Sequence, residues 1–476
     1  MSVYSFQETI QRKVKVEAET FALVMFFGTI ISLLMGFPVA LTLGGSALFF
    51  AYLGDWFGVF NSGMLNVFPL RILGIMKNEP LIAIPLFVFM GVMLEKSNIA
   101  GDLLNAMGRL FGNLRGGLGI SVLLVGALMA ASTGIVGATV VTMGLMSMPV
   151  MLKAGYSPKL SSGLICASGT LGQIIPPSIV LIVLGDILQG ANEQAAMSRG
   201  QLVPEPITAI DLFAGALIPG LILVSLYILM QIILAIFYPE TCPAIKNDPE
   251  GLDGSMANPS IFSVIAPPLV LIVLVLGSIL AGIATPTESA AVGAVGATLL
   301  AIIRRQFSYE ILFLVARNSV KITSMVFLIL IGASLFSLVF RGFGGDKIIE
   351  EFLGSLPGGK VGAFFIVMLA MFLMGFFLDF LEIIFIMVPL VGPPLISMGF
   401  DPVWLGIMIS VNLQTSFLTP PFGFSLFYLR GVAPPEIETK DIYLGVLPFI
   451  GLQIVALVLF WIFPQTILWL PDLIFG

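Results

Sequence analysis

Long apolar stretches separated by polar connectors run through the whole chain. A transmembrane helix needs about 20 predominantly apolar residues, and stretches of this kind recur from one end of the sequence to the other. The predicted spans are 20–36, 38–54, 80–96, 158–185, 211–237, 263–283, 287–304, 319–340, 403–429 and 443–463, and the polar connectors are 186–210, 239–262 and 431–442. This pattern predicts an all-α polytopic protein that is embedded in a lipid bilayer.

Two further apolar blocks, 117–152 and 360–398, are interrupted near the middle. Each block is long enough for two short helices but has small or acidic residues where the helices would meet. We therefore predict that each block forms a re-entrant helical hairpin, which enters and leaves the membrane on the same side.

Glycine and proline positions repeat along the chain at a nearly constant distance. Six matches occur in the same order with offsets of 240 to 246 residues, and Pro176-Pro177 matches Pro420-Pro421 at an offset of 244. Single matches would mean little in a chain with 51 glycines and 30 prolines, so coincidence is the alternative. The ordered set predicts two repeats, 1–240 and 241–476.

Each repeat would contain a series of complete spans, one re-entrant hairpin and one broken helix. The hairpins are predicted at 117–152 and 360–398, and the broken helices at 158–185 and 403–429. Because the number of crossings in each half is odd, the second repeat would run through the membrane with the opposite topology. Inverted repeats with broken helices are typical of secondary transporters.

The composition excludes several other classes of protein. Hydrophobic residues make up 58% of the 476 residues and charged residues 10%, whereas about 25% of a soluble protein is charged. Histidine is absent and there are two cysteines, which removes the usual metal ligand and general base. The sequence has neither a GxxxxGK[ST] phosphate loop nor a basic patch. We therefore expect no enzyme activity, no cofactor, no ATP hydrolysis and no nucleic-acid partner.

A pair of prolines interrupts each broken helix. Proline costs about 3 kcal/mol inside a helix, and in hydrocarbon no water can satisfy the backbone groups that it frees. Interrupted backbone is tolerated where it lines a cavity, and its carbonyls can coordinate a cation. Simple packing kinks are the alternative. The repetition favours a binding site at the breaks, for which the candidates are Thr170, Gln173, Pro176, Pro177, Gln414, Thr415, Thr419, Pro420 and Pro421.

Small and hydroxylated residues mark the interruption of the first hairpin, in the segment AASTGIVGATVVTMG. Such residues allow a tight hairpin tip to bring its backbone close to a ligand. A helix-packing face uses the same residue types, and the sequence leaves both interpretations open. The candidates are Ser132, Thr133, Gly134, Gly137 and Thr139.

Acidic residues lie in apolar surroundings at two places. Asp379 and Glu382 follow Gly375 at the interruption of the second hairpin, and a charged side chain in the bilayer is a functional candidate by default. Capping of the second short helix is the alternative; Asp379 is the stronger functional candidate because it falls at the expected tip. Glu288 follows Thr285 at the spacing of a capping box, so we expect it to cap a helix, although it stays a site candidate.

At these motifs the chain resembles the large membrane subunit, DctM type, of tripartite ATP-independent periplasmic (TRAP) transporters. The resemblance covers nearly the whole chain. It rests on IPLFVFMG, ASTGIVGATVVTMG, GTLGQIIPPSIVLIVLG, ATPTESAAVGA, FLDFLEIIFIMVPL and QTSFLTPPFGFSLFYLRG taken together. The resemblance implies a multi-pass protein of the bacterial inner (cytoplasmic) membrane.

The resemblance also implies sodium-coupled uptake of an organic acid, a carboxylate, by an elevator mechanism. A transport domain of hairpins and broken helices would slide against a fixed scaffold, and sodium ions would bind at the hairpin tips and helix breaks. Two partners are implied: a periplasmic substrate-binding protein (DctP type) and a small four-helix membrane subunit (DctQ type). The alternative is a single-component sodium/anion symporter of similar inverted-repeat architecture, which would need no binding protein.

Overall fold

The protein is built from α-helices throughout the part of the chain that the structure describes. The computed structural model describes residues 3–97, 99–201, 205–244 and 261–475, and these ranges contain no β-strand. The helices of the first half are α1 (Val3–Leu34), α2 (Val39–Trp56), α3 (Phe68–Met76), α4 (Glu79–Lys96), α5 (Ile99–Phe111), α6 (Gly117–Thr133), α7 (Val136–Lys153), α8 (Pro158–Thr170), α9 (Ile179–Ser198) and α10 (Ala209–Phe237).

Three short 3-10 helices lie between these elements, at Ser62–Val67, Leu171–Gln173 and Pro239–Thr241. The second half follows with another ten α-helices. The helices of the second half are α11 (Ile261–Leu280), α12 (Pro286–Ile303), α13 (Tyr309–Gly342), α14 (Gly345–Ser355), α15 (Gly359–Met374), α16 (Phe380–Ser397), α17 (Pro402–Leu418), α18 (Phe424–Val432), α19 (Thr439–Ile462) and α20 (Gln465–Phe475).

Many of these helices are suited to lipid. Nine of the described helices are long and apolar enough to cross a membrane, and the number rises to eleven if each of two bent helix pairs counts as one span. Large apolar side chains on them face outward, among them Leu41, Ile236 and Val295, which are 65%, 68% and 61% exposed. An apolar surface of this extent marks contact with a membrane. The prediction of an all-α polytopic membrane protein is confirmed.

The interruptions fall where the sequence places them. The first apolar block forms α6 and α7, separated by Gly134 and Ile135, and the second forms α15 and α16, separated by residues 375–379. The bounds of α7 and α16 differ by 244 residues at both ends, the same offset that separates the two proline pairs. The boundary between 1–240 and 241–476 and the inverted topology stay predictions.

The first broken helix is longer than the predicted 158–185. Its second part, α9, continues to Ser198, so the first half of the expected connector 186–210 is helical. This segment is rich in alanine, glutamine and glutamate, which are good helix formers. The helix ends just before Gly200, whose φ of +74° is the left-handed conformation that favours glycine after a helix.

One compact unit consists of Met1–Glu79, Ile187–Pro206 and Thr323–Asp401, and it contains the second hairpin. Aromatic rings pack together in this unit: the Phe343 ring stacks on Phe21 with centroids 5.7 Å apart, and its centroid lies 4.9 Å from that of Phe60. The helices α13 and α2 approach closely at Gly332. Any larger residue would clash there, because a Cβ on Gly332 would lie 2.4 Å from the Ala40 carbonyl oxygen.

The other unit consists of Pro80–Asp186, Ile207–Ile322 and Pro402–Gly476, and it contains the first hairpin and both helix breaks. Here α8 and α19 pack backbone against backbone. A Cβ on Gly163 would lie 2.1 Å from the carbonyl oxygen of Gly445. Because this contact leaves no room for side chains, it fixes α8 firmly against α19 next to the first break.

Candidate functional site

The first helix break, between α8 and α9, is buried. The 3-10 helix Leu171–Gln173 follows α8, and the next five residues leave the helical path before α9 begins. Ser178 Oγ donates to the Gln173 carbonyl oxygen at 3.1 Å, which replaces part of the lost backbone bonding. Pro176 and Pro177 are joined by a cis peptide bond, and both are buried.

The second helix break, between α17 and α18, covers residues 419–423 and is more open. Pro420 and Pro421 are also joined by a cis peptide bond, and Pro421 is exposed. The Oγ1 atoms of Thr415 and Thr419 each donate to the carbonyl oxygen one turn earlier, at 2.8 and 2.7 Å. Since these hydroxyl hydrogens are used within the helix, the hydroxyl oxygens keep lone pairs for another partner.

The structure brings together one candidate residue from each broken helix. Gln414 Nε2 donates to Thr170 Oγ1 at 3.5 Å, and both side chains are 0% exposed. The two positions are 244 residues apart, the same offset that separates the two proline pairs. The two broken helices therefore meet, shortly before their breaks, at positions that the predicted repeat makes equivalent.

Two buried glutamines carry amide atoms without a hydrogen-bond partner. Among the described residues, neither Oε1 nor Nε2 of Gln173 has a partner, and the same is true of Gln414 Oε1. Both side chains are 0% exposed. A buried polar group without a partner costs about 1–3 kcal/mol, and such a group in a native protein is often explained by a bound ion or water. Each break thus supplies an acceptor oxygen that is suited to a cation.

The candidate side chains of the two broken helices offer neutral oxygens. Hard cations bind to carbonyl, amide and hydroxyl oxygens, whereas transition metals prefer imidazole and thiolate. No group of three or more His, Cys, Asp or Glu side chains within the described ranges could hold a metal ion. The arrangement around Gln173 and Gln414 therefore fits an alkali cation better than a transition metal.

The tip of the first hairpin packs against the elements that follow the breaks. Gly134 ends α6 with a φ of +61°, and a Cβ on it would lie 3.2 Å from the backbone nitrogen of Ile179. Gly137 lies against the ring of Tyr428, which a Cβ would approach to 3.0 Å. Thr139 is buried, and its Oγ1 donates to the carbonyl oxygen four residues earlier at 3.1 Å.

The two interpretations of this tip therefore apply to different residues. Gly134 meets the needs of a tight turn, because its backbone conformation favours glycine. Gly137 makes a close packing contact, as a small-residue packing face would. The side chains of Ser132 and Thr133, which were also candidates, lie outside the described part of the structure.

The second hairpin, in the other unit, carries an acidic helix cap. Gly375 is buried at the end of α15. Asp379 precedes α16, and its Oδ1 accepts from the Phe380 nitrogen at 2.8 Å, while Glu382 Oε2 accepts from the Asp379 nitrogen at 2.9 Å. The bond between Glu382 and the Asp379 nitrogen belongs to a capping box that these two acids form. The capping that the sequence offered as the alternative for these two acids is thus present in the structure.

Glu288 caps α12 at an exposed position. Its Oε2 accepts from the Thr285 nitrogen at 2.8 Å, and its own nitrogen donates to Thr285 Oγ1 at 3.2 Å. The capping role that the T-x-x-E spacing predicts is therefore confirmed.

Two buried polar residues in the compact unit that contains the breaks were missing from the candidates of the sequence analysis. Tyr227 on α10 and Gln453 on α19 are 0% exposed, and Gln453 Nε2 donates to the Tyr227 hydroxyl oxygen at 2.8 Å. Both lie in otherwise strongly apolar helices. An isolated polar side chain in a membrane-spanning helix is a signal of function that could have revealed them.

Known proteins similar to this chain are membrane transporters. The ectoine TRAP transporter large permease protein TeaC of Halomonas elongata is 29% identical over 446 residues, which cover 93% of this chain and 97% of that protein. The C4-dicarboxylate TRAP transporter large permease protein DctM of Rhodobacter capsulatus is 30% identical over 465 residues, which cover 94% of this chain and 99% of that protein.

A solved structure has a similar fold. The YdaH transporter of Alcanivorax borkumensis matches with a TM-score of 0.60 over 84% of this chain and 89% of that chain, at 16% sequence identity. At this level of identity the likeness shows the fold alone. It agrees with the all-α membrane architecture described above.

A family model covers nearly all of the chain. The model of the tripartite ATP-independent periplasmic transporter, DctM component, matches residues 23–466, a range that includes both hairpins and both helix breaks. The relatives are named as large permease proteins of TRAP transporters, and this multi-pass chain of the bacterial inner membrane is accordingly a transporter subunit and not an enzyme. On this match and on the relatives, the chain belongs to the DctM component family of TRAP transporters.

Proposed function

We propose that this chain is the large permease subunit of a system that takes up an organic acid together with sodium ions. The observation that carries the proposal is the pair of fully buried glutamines, Gln173 and Gln414, whose side-chain oxygens lack partners at the two helix breaks. The family is ATP-independent by description, so uptake against a gradient needs another source of energy. A sodium gradient is the source that oxygen-lined breaks can use.

Different groups at the breaks would bind the cation and the anion. Gln173 Oε1, Gln414 Oε1 and the carbonyl groups freed at the breaks would replace water around a sodium ion. The helices α9 and α18 begin after the breaks, and their first amide groups are donors without intrahelical partners, which suit a carboxylate. The bound sodium charge would offset the charge of the acid while both cross the membrane.

The second hairpin would supply a further polar tip. Gly375, Asp379 and Glu382 lie together at the turn between α15 and α16. We propose that the Asp379 carboxylate contributes charge for cation binding in addition to its role as a helix cap. The two roles use different properties of the same group, the capping oxygen in one case and the negative charge in the other.

For transport we propose an elevator motion in which the breaks move as one body. Support comes from the hydrogen bond between Gln414 on α17 and Thr170 on α8, which joins the two broken helices, and from the close backbone contact of α8 with α19 at Gly163 and Gly445. These helices would therefore carry the first break and its bound ion together. Relative movement of helices would occur at other helix–helix surfaces, where larger side chains keep the backbones further apart.

We also propose that the chain works with two partners, as a tripartite family requires. One is a small membrane subunit of the DctQ type with four helices, and the other is a periplasmic substrate-binding protein of the DctP type. The two relatives named above carry different compounds, ectoine and a C4-dicarboxylate. The proposal therefore names the substrate only as a carboxylate.

Uptake into proteoliposomes tests this function. The purified chain is reconstituted alone, with the small subunit, and with both partners, and uptake of radiolabelled carboxylates is measured under an inward sodium gradient or an equal potassium gradient. We expect uptake only with sodium and with both partners, and no effect of ATP. Uptake that continues unchanged without any cation gradient would contradict sodium coupling. Full uptake by the chain alone would support the single-component symporter instead.

The variant Gln173→Met tests the site within the same assay. Methionine fills a similar volume but removes the buried amide, so we expect the half-saturating sodium concentration to rise by about tenfold or more, the effect of losing one charge-assisted ligand. The thermal stability without sodium should stay the same or increase, because an unsatisfied polar group is gone. Gln189→Met, which removes a partly exposed glutamine from α9, beyond the break, is the matched control and should change neither quantity.

A further inference from the structure

Two half-buried arginines lie in the compact unit that contains the second hairpin. They are Arg71 on α3 and Arg341 on α13. Neither forms a salt bridge with a carboxylate in the part of the chain that the structure describes. A charged side chain in a membrane protein is costly to bury without a partner and is a functional candidate by default. The proposed sodium site uses neither arginine, so both need another explanation.

Backbone carbonyl oxygens hold the two guanidinium groups but use few of their donors. Arg71 Nη1 donates to the Ser334 carbonyl oxygen and Arg341 Nη2 to the Pro389 carbonyl oxygen, each at 3.4 Å. The Pro389 carbonyl is available because Pro393, four residues later in α16, has no N–H to donate. Arg341 Nε has no hydrogen-bond partner among the described residues. A guanidinium has five N–H donors, so both groups keep donors for a ligand.

The two arginines lie along one face of α13. Ser334, which Arg71 contacts, and Arg341 are seven residues apart, so they point to the same side of the helix. At about 1.5 Å per residue, they are about 10 Å apart along the helix axis. The buried Ser337 lies between them on this face and adds a hydroxyl group. An anion bound here would meet two positive charges and relieve their mutual repulsion.

The arginines are placed where lipid headgroups are expected. Arg341 is the next-to-last residue of α13, and α3 follows the end of α2, where Trp56 is 88% exposed. An exposed tryptophan at the end of a span is typical of the membrane–water interface. Beside Arg71 on α3, Leu70 and Met76 are each 67% exposed. Positive charge for a phosphate therefore lies next to an apolar surface for acyl chains.

We infer that Arg71 and Arg341 bind the phosphate group of an anionic membrane phospholipid, whose acyl chains lie against the exposed face of α3. The charges are complementary, because no salt bridge among the described residues neutralises either arginine. The planar guanidinium group is also well matched to phosphate oxygens. A bound lipid would tie α3 to α13. The inference does not depend on the sodium site, which belongs to the other compact unit.

The test measures the unfolding temperature of the purified full chain in detergent while phosphatidylglycerol is added in steps. Because a ligand that binds only the folded state raises its stability, the rise yields a half-saturating lipid concentration. We expect Arg71→Gln to raise this concentration about 5-fold or more, as the loss of one basic side chain at an anionic lipid predicts. Arg71→Lys keeps the charge but loses the planar donors, so its value should lie between those of Arg71→Gln and the wild type. Phosphatidylcholine with the same acyl chains has no net charge and should stabilise the wild type less.

Lys347→Gln is the matched control, because it removes an exposed positive charge from α14, the helix that follows α13. It should leave the half-saturating concentration unchanged. Arg341→Gln should weaken lipid binding as Arg71→Gln does, and it should also lower the unfolding temperature without lipid, since it frees the Pro389 carbonyl.

Several outcomes would overturn the inference. Both arginine variants could bind phosphatidylglycerol like the wild type, or Lys347→Gln could weaken binding as much as they do. Phosphatidylcholine could stabilise the wild type equally well, which would show that the charge is not recognised. Sodium phosphate alone could give the same stabilisation, which would indicate a site for a free anion. If phosphatidylglycerol does not stabilise the wild type, the lipid site does not exist, whereas the sodium site is unaffected.

Discussion

At the scale of single residues, the second hairpin shows how one side chain can carry two roles. Asp379 and Glu382 drew attention because they are acidic residues in an apolar segment, and the structure places both in the capping box of α16. A carboxylate is favoured at a helix N-terminus, where it meets the positive end of the helix dipole. A cap does not need a full charge, however, because asparagine caps about as well as aspartate.

That difference separates the two roles experimentally. Asp379→Asn keeps the oxygen that accepts from the Phe380 nitrogen, so we expect the free energy of unfolding to change by less than about 0.5 kcal/mol. If the charge takes part in cation binding, the uptake rate should fall by about tenfold or more. Uptake in proteoliposomes and thermal unfolding of the same preparation measure both quantities.

Glu382→Gln is the matched comparison for Asp379→Asn. Glutamine at this position also completes a capping box, so this variant should remain stable and lose less transport. Normal uptake by Asp379→Asn would show that capping is the whole role of Asp379.

At the scale of helices, glycine determines how closely the elements around the breaks approach. Gly163 and Gly445 bring α8 and α19 into backbone contact, and the carbonyl oxygen of each helix occupies the space of a missing side chain on the other. Small residues at helix crossings are a general way to pack membrane helices, because lipid supplies no hydrophobic drive between them. Here the contact holds the helix that leads into the first break.

Gly163→Ala should therefore destabilise the protein. The added Cβ would lie 2.1 Å from a carbonyl oxygen, so the helices must move apart, and overpacking of this kind costs about 1–3 kcal/mol. We expect a lower unfolding temperature in detergent. Gly451→Ala on α19 is the control, since a Cβ there meets nothing within 4 Å. An unchanged unfolding temperature for Gly163→Ala would mean that α8 and α19 are free to separate.

At the scale of the whole molecule, the helices recur with the spacing of a duplicated chain. The bounds of α7 and α16 differ by 244 residues, and α8 and α17 begin 244 residues apart. An inverted relation between the two halves would place equivalent loops on opposite sides of the membrane. This arrangement is what gives a transporter two related half-sites that meet at its centre.

Cysteine labelling in intact cells tests the inverted relation. Met35 and Ala281 are exposed residues at equivalent positions next to the turns that end α1 and α11. We expect a membrane-impermeant maleimide to label only one of Met35→Cys and Ala281→Cys from outside, and to label the other only after the membrane is opened. The native thiols, Cys166 and Cys242, are buried and should react little. Labelling of both variants from the same side would contradict the inverted topology.

The architecture could be read from the sequence because it depends on local properties. Apolar length predicts which segments enter the membrane, and the positions of proline and glycine predict where a helix stops. Both interrupted blocks and both broken helices therefore lie close to the predicted residues. The extension of α9 to Ser198 was not predicted. Residues 186–198 are polar and were therefore assigned to a connector, although many of them are good helix formers.

The composition and spacing of the sequence by themselves determined that this protein is an all-α membrane protein and where its helices break, and its motifs, taken together, showed the resemblance to a transporter subunit. Only the tertiary structure decided that Thr170 meets Gln414 across 244 residues, that Gln173 is buried without a partner, and that Tyr227 is held by Gln453. The reason is physical: a break is set by neighbours along the chain, whereas burial and hydrogen bonding between distant residues depend on how the helices pack.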